Sequence, residues 1–379
     1  MDGEVGAGSG GEPLAERAPP AAAPGLQAEA SDAEHAVEYE VLDGVIDLGY
    51  RQLPSLVGVR VSAGVEELEL TGNRLDESAI ACVLEDADAG ARLASLSLRK
   101  NLLEGAARVT AAAACAGITT LVLRDNLLSE CPPLDALRHL THLDISYNGI
   151  RSLEPLARAP PCLAELYAAK NKIRRAEGIA NRASLRVLEL GSNRLRTMEG
   201  MEGLGALEEL WLGSNKITVA DPDVLRAMPR LRRLSLQANR LTSTAALAAL
   251  GPAEGAGGGC GAPLEELSVS QNGVERLEGL DGLPVLLLDA ADNPIGSLDG
   301  LADLPQLEDL WLNDTKVPVS ALEGLADALR ASLPTLSTVY LERTPAGASP
   351  VYHQRLVDAL PALTQIDAEQ LQKHGRAAS

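Results

Sequence analysis

Two histidines three residues apart, His139 and His142, are the first candidates for metal chemistry, but no Cys or carboxylate at ligand spacing completes a tetrahedral set around them. The glycine runs GAGSGG at 6–11 and GAGGGCG at 255–261 lack the Lys-Ser/Thr and the strand–turn–helix context that phosphate binding needs. Carboxylates are plentiful, yet no nucleophile, base and orienting group form a recognisable set, and the sequence reads as a non-enzyme. What recurs at fixed spacing is binding chemistry. Asp144, Tyr167, Glu189 and Trp211 follow one another at steps of 23, 22 and 22, and Asp289, Trp311 and Tyr340 at 22 and 29. Aromatic rings beside carboxylates are suited to gripping a protein surface, where the ring supplies area and the carboxylate pairs with cations.

These residues sit inside a repeated element. The pattern LxLxxN ends at Asn73, Asn101, Asn126, Asn148, Asn171, Asn193, Asn215, Asn239, Asn272 and Asn293, and in the variant ending with threonine at Thr315 and Thr344. The steps are 28, 25, 22, 23, 22, 22, 24, 33, 21, 22 and 29. A 22-residue unit of this kind is a leucine-rich repeat, and Ile46-Asp47-Leu48 opens the array as a thirteenth strand. The expected fold is an α/β leucine-rich-repeat solenoid, a horseshoe with a parallel sheet on its concave face and the leucines stacked in one core. The Asn is structural: its amide can satisfy backbone groups buried in the turn, and the two threonines should do so less well.

Period-2 alternation turns the residue between the last two leucines outward onto the concave face. Twelve repeats place Glu69, Ser97, Val122, Asp144, Tyr167, Glu189, Trp211, Ser235, Ser268, Asp289, Trp311 and Tyr340 there. Random placement of the chain's eight aromatics would put about 0.25 residue in twelve positions, and four are found. Tyr167, Trp211, Trp311 and Tyr340 are read as lying on non-adjacent strands, hence as separate exposed anchors rather than rings packed on each other. Flanking outward positions add Glu67, Glu165, Glu209, Glu266, Asp309 and Glu342 against Arg99, Arg124 and Arg233, so the face is acidic and a partner should present a basic surface.

The whole chain agrees with this. Its 379 residues carry 33 basic and 53 acidic side chains, a net charge of −20, which disfavours nucleic acid or an anionic membrane as partner. No apolar run is long enough to span a bilayer, and the acidic start lacks a signal peptide's apolar stretch. Five irregularly spaced cysteines are expected as reduced thiols of the cytosol or nucleus. The array is placed at 41–344, after a disordered Ala/Gly/Pro/Glu-rich tail at 1–40, with a mobile Gly-rich insertion at 251–262, a cap at 345–372 and a tail at 373–379. Steps near 22 leave room only for 3₁₀ or extended turns on the convex side. The longer step over 76–93 should hold a helix burying Ile80, Val83 and Leu84, and the cap a helix whose apolar side carries Val351, Leu356, Val357 and Leu360, with Ile366 returning to the core.

The segments LDISYN, LELGSNRL, LWLGSNKIT, LSLQANRLT, LEDLWLND and TVYLERTP, followed by YHQRLVDALPALTQIDA, resemble the Sds-type regulatory subunit of protein phosphatase 1, regulatory subunit 7, over about 140–371. The resemblance implies a regulator that binds the phosphatase catalytic subunit through its concave face, with contacts by Asp144, Tyr167, Glu189, Trp211, Asp289, Asp309, Trp311 and Tyr340. It further implies no cofactor, a chain monomeric on its own, room for a further inhibitor subunit, and action in nucleus and cytoplasm. Ser268 stands where the family tends to place an aromatic, and the repeats over 65–126 are less regular. Axonemal or centrosomal adaptors for tubulin or dynein share the repeat length and the cap, but acidic tubulin suits an acidic face poorly.

Overall fold

The computed structural model describes residues 37–371 apart from 89–90, 254–257, 330 and 333. The tail read at 1–40 falls outside them except for its last four residues, as do the centre of the Gly-rich insertion and the tail at 373–379. Among the described residues the sheet has fifteen strands in strict sequence order, parallel except for the last pair.

The strands are β1 Val45–Asp47, β2 Glu67–Glu69, β3 Ser95–Ser97, β4 Thr120–Val122 and β5 His142–Asp144. Then come β6 Glu165–Tyr167, β7 Val187–Glu189, β8 Glu209–Trp211, β9 Arg233–Ser235 and β10 Glu266–Ser268. The series ends with β11 Leu287–Asp289, β12 Asp309–Trp311, β13 Thr338–Tyr340, β14 Gln365–Ile366 and β15 Glu369–Gln370. β2 to β13 are the twelve repeat strands, and β1 begins one residue before the position read from sequence. In each, the central residue is buried and its neighbours are more exposed, except Ser235 of β9, which is also buried. Leu166, Leu188 and Leu210 stand opposite one another on β6, β7 and β8, so the leucines form one continuous file through the core.

Asn193 shows how each turn is held. Its Nδ2 donates to the carbonyls of Leu190 (3.0 Å) and Gly191 (3.2 Å) in its own repeat and of Ala168 (2.9 Å) in the preceding one, while its Oδ1 accepts from Ile173 N (3.0 Å). The residue just before it, Ser192, is left-handed, and the same holds from Lys100 to Arg343 in every later repeat. A γ-branched amide reaches two repeats at once; the shorter Thr315 Oγ1 reaches only Leu312 O, at 2.6 Å, in its own repeat.

On the convex side the chain uses 3₁₀ turns, as at Glu154–Arg158 and Ala245–Leu250, and a few short helices. Helix α1, Glu77–Glu85, is capped by Asp76, whose carboxylate accepts from Ala79 N at 2.8 Å, and it buries Ile80, Val83 and Leu84. The shorter helices are α2 Ala107–Ala111, α3 Pro222–Arg226 and α4 Leu325–Ala328. The Gly-rich insertion is pinned at its base: Cys260 N donates to Ala249 O at 2.9 Å and Ala262 N to Leu250 O at 3.0 Å.

Both ends depart from the sequence reading. Residues 37–40, assigned to the tail, are extended and fixed: Val37 N donates to Val57 O at 2.7 Å, and Tyr39 Oη accepts from Arg60 N at 3.0 Å. Val37 and Tyr39 pack against the core, which composition alone could not show. At the other end, helix α5, Tyr352–Ala359, buries Tyr352 and Leu356, with Leu360 just beyond, a spacing of four. Val351 and Val357 lie off that side, 48% and 46% exposed, so the apolar face is rotated from the one read in sequence. Ile366 is fully buried, as expected. Asp367 then stands in for a strand carbonyl: its Oδ1 accepts from Leu341 N (2.8 Å) and Glu342 N (3.0 Å), whereas the equivalent Leu312 N one repeat earlier goes to Tyr340 O at 2.8 Å.

Candidate protein-binding face

Strand register sorts the candidate residues into two groups. Asp144, Tyr167, Glu189 and Trp211 are direct neighbours on β5 to β8. Asp289, Trp311 and Tyr340 are direct neighbours on β11 to β13, with Asp309 beside them at the other outward position of β12. Between the groups, β9 and β10 offer Ser235 and Ser268. All eight are partly buried rather than fully exposed.

In the first group the rings are held by carboxylates of the adjoining outward row. Tyr167 Oη donates to Glu165 Oε2 at 3.2 Å, and the same oxygen lies 2.9 Å from His142 Nδ1. The His142 and Tyr167 rings are 5.1 Å apart. Trp211 Nε1 donates to Glu209 Oε2 at 3.1 Å, and Glu209 is itself clamped by Arg233 at 2.8 Å, whose Nε reaches Glu266 at 3.0 Å. Thus Glu165 and Glu209, counted in sequence as attractive charge, serve to aim rings, and Arg233 is already spent.

The carboxylate less engaged is Glu189. Burial, and then repulsion from Asp144, push its pKa above the ordinary value, while Arg124 pulls the other way. Asp144 accepts from Ser146 N at 2.8 Å and lies 3.9 Å from Arg124. Two neighbouring acids with one distant counter-ion favour a partner that brings a cation. Tyr167 has its phenol pushed well up by burial and by the Glu165 charge, so it stays a neutral donor.

The second group corrects the picture of separate anchors. Trp311 and Tyr340 are on adjacent strands, and their rings meet edge-to-face at 5.7 Å. Trp311 Nε1 is buried without a hydrogen-bond partner among the described residues, and Tyr340 Oη accepts from Gln365 of the cap at 2.5 Å. This pair is a packed unit; Tyr167 and Trp211, two strands apart, remain separate. Ser268 does more than replace an aromatic: it and Ser270 both donate to Asp289 Oδ2, at 2.7 and 2.6 Å, fixing that carboxylate. In sequence His142 reads only as a metal candidate and Arg233 only as one of three outward bases, whereas the structure uses both to hold the ring-aiming carboxylates Glu165 and Glu209; Gln365 is not singled out at all.

His142 pairs with Glu165 rather than with His139, and no cluster of His, Cys, Asp or Glu suited to a metal occurs among the described residues. No helix among them is long and apolar enough to cross a membrane.

Comparison with known proteins agrees with the repeat architecture. Leucine-rich-repeat family models match residues 183–241 and 136–152. A protein phosphatase 1 regulatory inhibitor subunit PPP1R7 homologue of Arabidopsis thaliana is 39% identical over 154 residues, 40% of this chain and 45% of that one. The alpha subunit of geranylgeranyl transferase type 2 of Mus musculus is 37% identical over 75 residues, 20% of this chain and 13% of that one. The chain thus spans less than half the length of these relatives. A leucine-rich-repeat protein of Leptospira interrogans superposes with a TM-score of 0.62 at 21% identity, covering 83% of this chain and 77% of its own. The repeat ectodomain of the Arabidopsis thaliana receptor kinase GASSHO1/SCHENGEN3 gives 0.58 at 22%, covering 85% and 38%. These two likenesses concern the fold alone. The chain is built of leucine-rich repeats, and over 154 residues they are similar to those of the regulatory inhibitor subunit PPP1R7 homologue.

Proposed function

We propose that this chain is a regulatory scaffold that binds the catalytic subunit of protein phosphatase 1 on its concave face and controls that subunit's activity or maturation. The relative of Arabidopsis thaliana supports the partner. The observation that carries the site is the unbroken row Asp144–Tyr167–Glu189–Trp211, four neighbouring strands presenting acid and ring in alternation. Tyr167 and Trp211 supply contact area at low entropic cost, and Asp144 with Glu189 draw a basic patch between them. Asp289, Asp309, Trp311 and Tyr340 form the second foothold, and the two serine-bearing strands between leave a gap for the partner's convexity. A further inhibitor subunit would approach from outside this face, the chain alone being monomeric, and the complex would act in nucleus and cytoplasm.

A pull-down of purified catalytic subunit by the wild-type chain and by Trp211→Ala with Asp144→Ala tests this reading. Loss of binding with an unchanged circular-dichroism melt is expected. Retention by the double variant would remove the site, and failure of the wild type to bind would remove the partner.

A further inference from the structure

A second row of exposed residues runs along one flank of the array, one position past each Asn. After Arg74, itself exposed, seven successive positions run from Leu102 and Leu127, 47% and 55% exposed, past Gly149 to Lys172, Arg194, Lys216 and Arg240, all exposed. This row is built rather than accidental. The N–H at each of these seven positions donates to a carbonyl of the preceding repeat at 2.7–3.0 Å, from Leu102 N→Leu75 O to Arg240 N→Ile217 O, making a second parallel backbone ladder beside the sheet. Two residues further on, Arg151, Arg174 and Arg196 form a shorter file beside it, also exposed. Among the described residues, none of Arg151, Lys172, Arg174, Arg194, Arg196, Lys216 and Arg240 takes part in an ion pair. In a chain of net charge −20 that leaves a concentrated cationic stripe with no internal use.

We propose that this flank is a binding edge distinct from the concave face, and that it takes an extended peptide carrying aliphatic residues next to a run of carboxylates. Leu102 and Leu127 are contiguous with the cations, which a polyanion without apolar groups would leave uncovered. At the junction Gly149 lets the Lys172 ammonium fold against the backbone, since a Cβ there would lie 3.7 Å from Lys172 Nζ and 3.1 Å from Leu128 O. Beside the stripe, Glu177 pairs with Arg175 at 3.0 Å, and in a chain of net charge −20 the surrounding surface disfavours a nucleic-acid duplex. Six steps from Leu102 to Arg240, at roughly 4.8 Å each, match about nine residues of extended chain.

The test uses the full chain and the nine-residue fluorescein-labelled peptides Leu-Leu-Gly-Glu-Asp-Glu-Glu-Asp-Glu and Glu-Asp-Glu-Glu-Asp-Glu-Gly-Leu-Leu, read by anisotropy at low and physiological salt, with an oligothymidylate of equal charge as competitor. One peptide order is expected to bind, more weakly as salt rises. Lys172→Glu/Arg194→Glu/Lys216→Glu should weaken it at least about tenfold and Leu102→Ser/Leu127→Ser about threefold. All five positions are exposed, so both variants should melt like the wild type. Trp211→Ala/Asp144→Ala should leave peptide binding unchanged, which separates this edge from the concave face. Absence of binding by either peptide, indifference to the charge reversal, or equal competition by the oligonucleotide would overturn the proposal.

Discussion

Replacing Asn193 by Ala removes the side chain that ties its turn to the preceding repeat. The amide makes contacts with three carbonyls and one N–H, but its two protons limit the donated bonds to two full ones, with Gly191 O sharing a proton at 3.2 Å. Three effective hydrogen bonds at about 1 kcal/mol each put the loss near 3 kcal/mol. The partners lie where water cannot replace the amide without opening the turn, since Asn193 is 7% exposed. Thr315→Ala is the internal control. It removes a single bond, to Leu312 O, so its cost should be about 1 kcal/mol, although Thr315 is as buried and occupies the same repeat position. Urea unfolding followed by far-ultraviolet circular dichroism measures both, and hydrogen exchange at Ile173 and Leu195 reports whether the damage stays within neighbouring repeats. Equal losses from the two substitutions would refute the argument that reach across repeats, and not burial at the turn, sets the value of the Asn.

Three other outcomes are expected. Burial raises the thiols of Cys115 and Cys131 from 9.0 to about 12, so the unfolded chain ionises first and stability, full below pH 9, should fall as pH climbs towards 12. Urea midpoints at pH 8 and pH 10 should show this, with a shallower fall in Cys115→Ala/Cys131→Ala. Glu189→Gln should raise the midpoint at pH 7, because the native carboxylate is held above its ordinary pKa, and the gain should vanish as acid protonates Glu189 in the wild type. The same variant should weaken binding of a basic partner in the pull-down. Asp367→Ala frees Leu341 N, Glu342 N and the Tyr352 hydroxyl, bonded to it at 2.8, 3.0 and 3.3 Å, and should cost about 2 kcal/mol, read as faster hydrogen exchange over 338–342.

The repeats were legible because the same local signal is written twelve times: a buried Leu, or Val339 in the last, flanked by outward residues, then in ten of them an Asn whose amide has one evident use. Neighbour relations were less so. Trp311 and Tyr340 are 29 residues apart but hold the same position in consecutive repeats, and reading them as non-adjacent overlooks that a solenoid pairs consecutive strands whatever the step between them. Length in these units grows on the convex side, where the 3₁₀ turn Val319–Leu322 and α4 absorb the extra residues without adding a strand. The face of α5 was misjudged because Val351 and Val357 outweigh Tyr352 on a hydrophobicity scale, whereas the structure buries the tyrosine and bonds its hydroxyl to Asp367. Roles that depend on a partner across strands, such as Ser268 for Asp289 or Arg233 for Glu209, leave no mark in a single repeat.

The two serine-bearing strands between the acid–aromatic groups give the face a property that few binding surfaces have. Its internal distance is a count. Each strand adds one fixed increment of about 4.8 Å, and a unit removed or inserted between β8 and β11 would translate one foothold relative to the other without rebuilding either. Affinity for a rigid partner would therefore change in jumps as whole units come and go, while loops on the outer side could lengthen, as the 33-residue step has done, with no effect on that spacing.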